Sequence, residues 1–239
     1  MYKMKWLVLC GLLAGSALLG GCRAIHYSGC GWEVILSGQM SPYCAAMTNG
    51  VTGYDLPSPV KKAGFSVDLP NSGGWIVVRN TDAGVAMGRQ GDDSGETYAI
   101  WAYEIDLPDL ATPQAFQQYV DKQRAKDTDP KRFTILSNKE TLIEHGPQGA
   151  LCLRYSTTAL DRHAHTAPST YEAMHTTNLG LACRSPYDAH VAVTLVYSQR
   201  YHPENVDKTL STEFDKIAAT LRFEPVAETT KDQQAKHER

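Results

Sequence analysis

Thr97-Tyr98-Ala99-Ile100-Trp101-Ala102-Tyr103-Glu104-Ile105-Asp106-Leu107 is the stretch that decides the fold class. It is rich in aromatic and β-branched residues, which suit a pleated strand. Its apolar residues fall at odd and even positions alike. A strand with one wet face alternates, whereas a strand covered on both sides does not. The stretch is therefore expected to be a central strand of a sheet with both faces covered.

Toward the N-terminus, Val85 to Arg89 and Trp75 to Arg79 read as further strands, and the polar stretch Gln90 to Glu96 as a loop. Phe65-Ser66-Val67-Asp68-Leu69 alternates and is closed by a turn from Pro70 to Gly74. Toward the C-terminus a helix is expected from Thr112, a good N-cap, with Pro113 in its first position. Phe116, Tyr119 and Val120 share one face of that helix, which runs to about Lys126 and stops before Asp129-Pro130.

Phe133 to Leu136 and Thr141 to Glu144 read as two short strands, and Gly149 to Thr158, Tyr171 to Arg184 and Ala189 to Ser198 as three more. Val206, Leu210, Phe214, Ile217 and Leu221 recur at spacings of three and four, which marks a second helix. Many strands in succession with two helices interposed indicate an α+β fold built mainly on an antiparallel sheet.

The N-terminus has a different character. Lys3 and Lys5 precede an apolar run from Trp6 to Leu19, and Leu19-Gly20-Gly21-Cys22 follows. The run is shorter than the roughly 18 residues a permanent membrane helix needs, so residues 1–21 read as a secretory signal peptide. Leu-Gly-Gly-Cys resembles the bacterial lipobox, in which the cysteine is acylated and the chain is cut just before it. That resemblance implies lipidation at Cys22, including a palmitate chain. Two or three acyl chains, each stabilising by roughly 0.8 kcal/mol per buried CH₂, would hold the protein to a membrane. Arg23 rather than Asp follows the cysteine, and resemblance to enteric lipoproteins then implies the outer membrane, with the domain facing the periplasm.

The chain carries 23 Lys and Arg against 26 Asp and Glu, a formal charge of −3, and loss of Lys3 and Lys5 with residues 1–21 makes it −5. An acidic balance of this kind argues against nucleic acid as a partner. Residues 22–61, Gly-rich and poor in charge, read as a tether, with Trp32 to Leu36 as a short strand. Residues 62–225 form the globular domain, and residues 226–239 a polar, disordered tail.

Besides Cys10 and Cys22 there are four cysteines, Cys30, Cys44, Cys152 and Cys183. An even number in an oxidising space suggests two disulfides, with three possible connectivities. Local pairs are favoured: Cys30 and Cys44 bracket a short loop, and Cys152 and Cys183 sit in two strand-like runs that could lie side by side. Zinc is the alternative, although no Cys-x-x-Cys spacing is present.

Four places resemble the PsbP-like fold, also found in DcrB-like bacterial lipoproteins. They are Phe65-Ser66-Val67-Asp68-Leu69-Pro70 with Gly74-Trp75, the helix after Thr112-Pro113, the strand Val191 to Tyr197, and Phe214-Asp215-Lys216-Ile217 with Thr220-Leu221-Arg222-Phe223. The resemblance spans about residues 63–224. It implies an antiparallel sheet flanked by helices on both faces, an α/β/α sandwich, in which Phe65, Trp75, Phe214 and Ile217 are packing residues. It implies no catalytic residues and no cofactor, because the fold serves unrelated binding tasks.

Asp161-Arg162-His163-Ala164-His165, with Glu172 and His175 after it, is the segment with metal-ligating chemistry. His163 and His165 are two apart and so point the same way in an extended chain. With His175 they form a candidate zinc or copper site, and a polar hairpin loop is the plainer reading. Asp92, Asp93, Ser94 and Glu96 read as a solvated acidic turn without a calcium-loop pattern. His145 reads as part of a turn and His190 as the start of a strand. Gly-x-Ser-x-Gly, Ser-x-x-Lys and a Cys–His arrangement are all absent from the sequence. Trp101, Tyr103, Tyr155, Tyr171, Tyr187, Tyr197 and Tyr201 fall on or beside strands and would suit a partner surface where exposed.

The expected function is a non-enzymatic envelope lipoprotein that acts as an accessory or interaction module. The alternative is a metal- or small-ligand-binding lipoprotein using His163, His165 and His175. Cys22→Ala is expected to abolish labelling by a radioactive fatty acid and leave the precursor uncleaved. Acylated product from that variant would refute the lipid anchor.

Overall fold

The structure, a computed structural model, describes residues 56–225 except 72–73, 94, 127 and 168–169, and leaves out the side chains of residues 165–172. Cys22, Cys30, Cys44, Trp32 to Leu36 and the tail lie outside the described residues. The central stretch forms β5 (Thr97–Asp106). Before it come β1 (Val60–Lys61), β2 (Phe65–Val67), β3 (Ile76–Thr81) and β4 (Gly84–Gln90). After it come helix α1 (Pro113–Lys126), β6 (Phe133–Ile143), β7 (Cys152–Ala167), β8 (Thr170–Arg184), β9 (Val191–Tyr201), helix α2 (Leu210–Ala218) and β10 (Arg222–Phe223).

Seven strands make one antiparallel sheet in the order β3-β4-β5-β9-β8-β7-β6. The fold is therefore α+β and mainly antiparallel. A smaller sheet, β1-β2-β10, is built from the first and last strands of the domain. β1 begins two residues ahead of the domain boundary expected at residue 62.

Alternation along β9 sorts the core into two clusters. Val193, Leu195 and Tyr197 join Phe65, Trp75, Met87, Ile100, Phe214 and Phe223. Ala192 and Val196 join Phe116 and Val120 of α1, with Leu153, Tyr155 and Ala182. Thr112 caps α1 as expected: its hydroxyl accepts a hydrogen bond from the Ala115 N–H at 3.1 Å. Phe214 is fully buried and Ile217 partly buried against the first cluster.

Three elements differ from expectation. β6 is one strand with a register shift between Ile135 and Ser137, not two short ones. It is an edge strand, so Ser137 and Lys139 stay exposed, while Asn138 and half-buried Glu140 accept hydrogen bonds from Arg124 of α1. β7 continues through Asp161, Arg162 and His163 to Ala167, because its ladder with β8 carries on past the polar residues with two further register shifts. α2 starts at Leu210: Pro203–Asn205 makes a 3-10 turn, and Asp207 accepts hydrogen bonds from the Thr209 N–H and hydroxyl. Val206 stays outside the helix and is 47 % exposed.

Gly180 is among the glycines that packing requires. Gly180 lies opposite Tyr155 in the β7–β8 ladder, and a Cβ there would fall 1.9 Å from the Tyr155 ring. The Arg124 guanidinium lies 3.8 Å from the centre of the same ring. Cys152 and Cys183 also face each other across β7 and β8 and form a fully buried disulfide. Gly180→Val is expected to displace Tyr155 and cost about 1–3 kcal/mol, measured as a lower urea midpoint at unchanged slope.

Candidate functional site: the strip beside α1

Strand β4 explains why part of the sheet carries little side chain on one side, among the described residues. Its sequence Gly84-Val85-Ala86-Met87-Gly88-Arg89-Gln90 sends Val85 and Met87 into the first core cluster. The opposite side carries only Gly84, Ala86 and Gly88 before Gln90. Gly84 pairs with Tyr103, Ala86 with Trp101 and Gly88 with Ala99 on β5. On β3, Arg79 pairs with Ala86 and Thr81 with Gly84. Glycine in a strand interior often marks a place where another backbone comes close. The result is a floor of small residues with Trp101 and Tyr103 half-buried along one side and Arg79 and Thr81 exposed along the other.

Helix α1 forms the wall next to this floor. A cleft of about 400 Å³ opens between α1 and the end of β5, lined by Tyr103, Ile105, Asp106, Tyr119, Gln123 and Lys126. Tyr119, Gln123 and Lys126 are spaced by four and three, so they make one stripe along the helix. The Tyr119 hydroxyl donates to the Asp106 carbonyl at 2.8 Å, which fixes the helix against the end of β5. Lys126 donates to Gln123 Oε1 at 2.6 Å and is exposed. This arrangement offers aromatic contact area, with exposed Asp106 and exposed Lys126 both on its rim.

The histidine segment is a ribbon rather than a loop. His163 lies in β7 and is exposed; His175 lies in β8, half-buried, with its ring 5.7 Å from that of Tyr201. The side chains of His165, Tyr171 and Glu172 are among those not described. Among the described residues no group of three or more His, Cys, Asp or Glu is placed to hold a metal ion. His190, expected to begin a strand, lies one residue before β9 and is 3.7 Å from Asp109.

Asp161, at the base of this ribbon, is fully buried and accepts two hydrogen bonds from Arg132, at 2.8 and 2.6 Å. The His163 N–H also donates to it, and Arg200 reaches within 3.6 Å. Burial opposes ionisation of the carboxyl. The Arg132 hydrogen bonds, the two guanidinium charges and the backbone donor outweigh that, and hold it below the ordinary carboxylate range.

On the other side of the sheet, Arg89 stacks on Tyr98 at 3.9 Å and lies 5.4 Å from the Trp75 ring centre. Burial, the charges of Asp207 and Glu96, and a hydrogen bond to Asp207 push the Tyr98 hydroxyl up to about 12, against the pull of Arg89. Burial and the hydrogen bond to Glu213 push Tyr197 up further. Both phenols stay neutral and act as donors. Buried Gln199 donates to Tyr98 and to the Asn205 carbonyl, and accepts from the Asp207 N–H. Glu96 is 4 % exposed and binds the His202 N–H and Asn205. The acidic stretch is therefore an anchored turn at Glu96, not a wholly solvated one.

Sequence reasoning placed most of the aromatic residues on strands but missed Arg132 and Arg200, whose partner Asp161 lies far away in the chain, and Arg89, which meets Tyr98 across the β4–β5 ladder. Alternation of Gly84, Ala86 and Gly88 was the available signal for the open floor. Asp161→Asn leaves both guanidinium groups without their carboxylate and is expected to cost about 3–5 kcal/mol near neutral pH. Because the folded-state pKa is depressed, this stabilisation is complete above the unfolded value of about 3.9 and is lost as pH falls through the folded one. Urea midpoints of the two proteins should therefore converge only in acid; a gap that does not vary with pH would refute the assignment.

No family model matches the chain, and no curated protein matches it. Among solved structures it is similar to the Saccharomyces cerevisiae Ran-binding protein Mog1p, with 11% identity, 66% of this chain and 89% of that chain covered, and a TM-score of 0.37. It is also similar to a mutant of protein Mog1, with 12% identity, 69% and 92% coverage, and a TM-score of 0.38.

Proposed function

We propose that this protein is a non-enzymatic lipoprotein of the cell envelope, held at the outer membrane through acylated Cys22. On this reading the domain faces the periplasm and serves as an accessory or interaction module for an envelope protein. The observation that carries the reading is the open strip of β3–β5 beside α1, with Trp101 and Tyr103 half-buried on it. Aromatic residues in such positions are the usual anchors of protein interfaces. Leu19-Gly20-Gly21-Cys22 supports the anchor, and the buried Cys152–Cys183 disulfide suits an oxidising compartment.

The same proposal includes a PsbP-like α/β/α layering, with α1 and α2 on opposite faces of the large sheet. The split of odd and even β9 residues between the two core clusters supports it. A small-ligand reading draws on the cleft at Tyr103 and Gln123, whose volume of about 400 Å³ lies in the range of ligand pockets.

The test is in-cell photocrosslinking of the full chain, with the reactive group placed at Gln123 in one strain and at exposed Ile135 of β6 in another. One reproducible envelope protein, recovered by mass spectrometry from either strain, is the expected result. Absence of any protein adduct from both positions would overturn the interaction reading.

A further inference from the structure

The two end strands of the large sheet differ in what they leave unpaired. β3 has six residues, and its ladder with β4 shifts register between Val77 and Arg79. Past that shift its end is occupied: Lys62 donates to the Thr81 carbonyl at 2.6 Å, and the Ala63 N–H to the Asp82 carbonyl at 3.3 Å. β6 is longer, and it pairs with β7 without interruption from Ser137 to Ile143, roughly 24 Å of strand. Alternate residues of such a strand present their N–H and C=O groups away from the neighbour. Among the described residues, no strand or backbone group other than β7 bonds that run. An extended chain meets such an edge with donors and acceptors at the same repeat, whereas a helix has used its own.

Side chains beside this edge narrow the choice of strand. Ile135 and Leu136, just ahead of the run, are two of the four large apolar residues exposed among those described. Ser137, Lys139 and Thr141 are exposed on one side of the sheet, opposite Thr158, Ser156 and Arg154 of β7. That side bears α2, where Arg154 is already paired with Asp215, and Arg162 bonds Thr134 there. Lys139 has no carboxylate within ion-pair distance among the described residues. Its neighbour Glu140 points to the opposite side and is held by Arg124, Asn138 and Gln117. A second copy of this chain therefore fits the edge poorly. In a two-fold antiparallel pair opposed residues share a face, so no register sets Lys139 against Glu140. Lys139 meets itself or a neutral residue in every one.

We propose that the outer edge of β6 receives an extended, acidic segment of a partner protein, which joins the seven-stranded sheet as a further strand. Main-chain hydrogen bonds along Ser137 to Ile143 hold the segment. A carboxylate facing Lys139 favours one register, and an apolar residue covers Ile135 and Leu136. The edge is separate from the strip beside α1, so the inference goes beyond the interaction reading by naming a second face and the kind of segment it takes.

Short synthetic peptides test it against the full chain in detergent. One alternates valine with glutamate, and a second alternates valine with lysine. Two more are the glutamate peptide N-methylated at every valine or at every glutamate. The glutamate peptide is expected to bind more tightly than the lysine peptide and to slow amide exchange within residues 134–143, read by mass spectrometry. Lys139→Glu, at an exposed position, should weaken it roughly fivefold. An added strand uses alternate amides, so one methylated peptide should still bind and the other should not. Any other result with the methylated pair, protection confined to β3 or α1, or no binding of the glutamate peptide would each overturn the edge. In cells, the photoreactive group at Ile135 is expected to capture the partner. Adducts from Ile135 only to this chain itself, within one copy or between two, would overturn the proposal. Partner adducts from Gln123 but none from Ile135 would overturn it while leaving the interaction reading intact. Adducts from neither position would remove both.

Discussion

Burial of β9 on both of its faces constrains the rest of the domain, because a strand without a wet side needs a covering layer over each. One side carries Val193, Leu195 and Tyr197, which Phe65, Trp75 and Phe214 cover. The other carries Ala192 and Val196, which Phe116 and Val120 of α1 cover. Each large side chain so buried contributes roughly 1.5–3 kcal/mol. The small sheet follows from the same demand. β2 and β10 come from the two ends of the domain, and their cross-strand pair Phe65 and Phe223 is buried in the first cluster.

Polar groups are concentrated where the apolar layers end. Asp161 gathers Arg132 and Arg200 at the base of the β7–β8 ribbon, and Gln199, Tyr98 and Asp207 fasten the segment that leads into α2. Both sets join elements distant in sequence, and both hold buried groups that would be costly without partners. They read as fasteners. The strip over β4 is of another kind, since it has little side chain of its own and so presents its neighbours' aromatic rings.

The central strand, α1 with its Thr112 cap, and the covered strand from Val191 were legible because each depends on local pattern. Aromatic and β-branched density, a capping hydroxyl and alternation are properties of neighbouring residues. β6 and the far half of β7 were not, because polar residues such as Asn138, Glu140 and Asp161 enter the sheet through partners distant in the chain, among them Arg124 and Arg132. Val206 matched the helical spacing of α2, yet Pro203–Asn205 and Asp207 start the helix four residues later. Spacing does not report where a cap will form.

What the sequence determined by itself was therefore the class of fold, the main elements and the cysteines able to meet, since periodicity and residue type suffice for these. The tertiary structure decided that Cys152 stands opposite Cys183, that Asp161 collects two arginines, and that Gly84, Ala86 and Gly88 form the floor of an open strip. Each depends on the register between strands far apart in the chain. A shift of one residue sends every side chain to the other face, and the energy that selects the register belongs to the whole packed sheet.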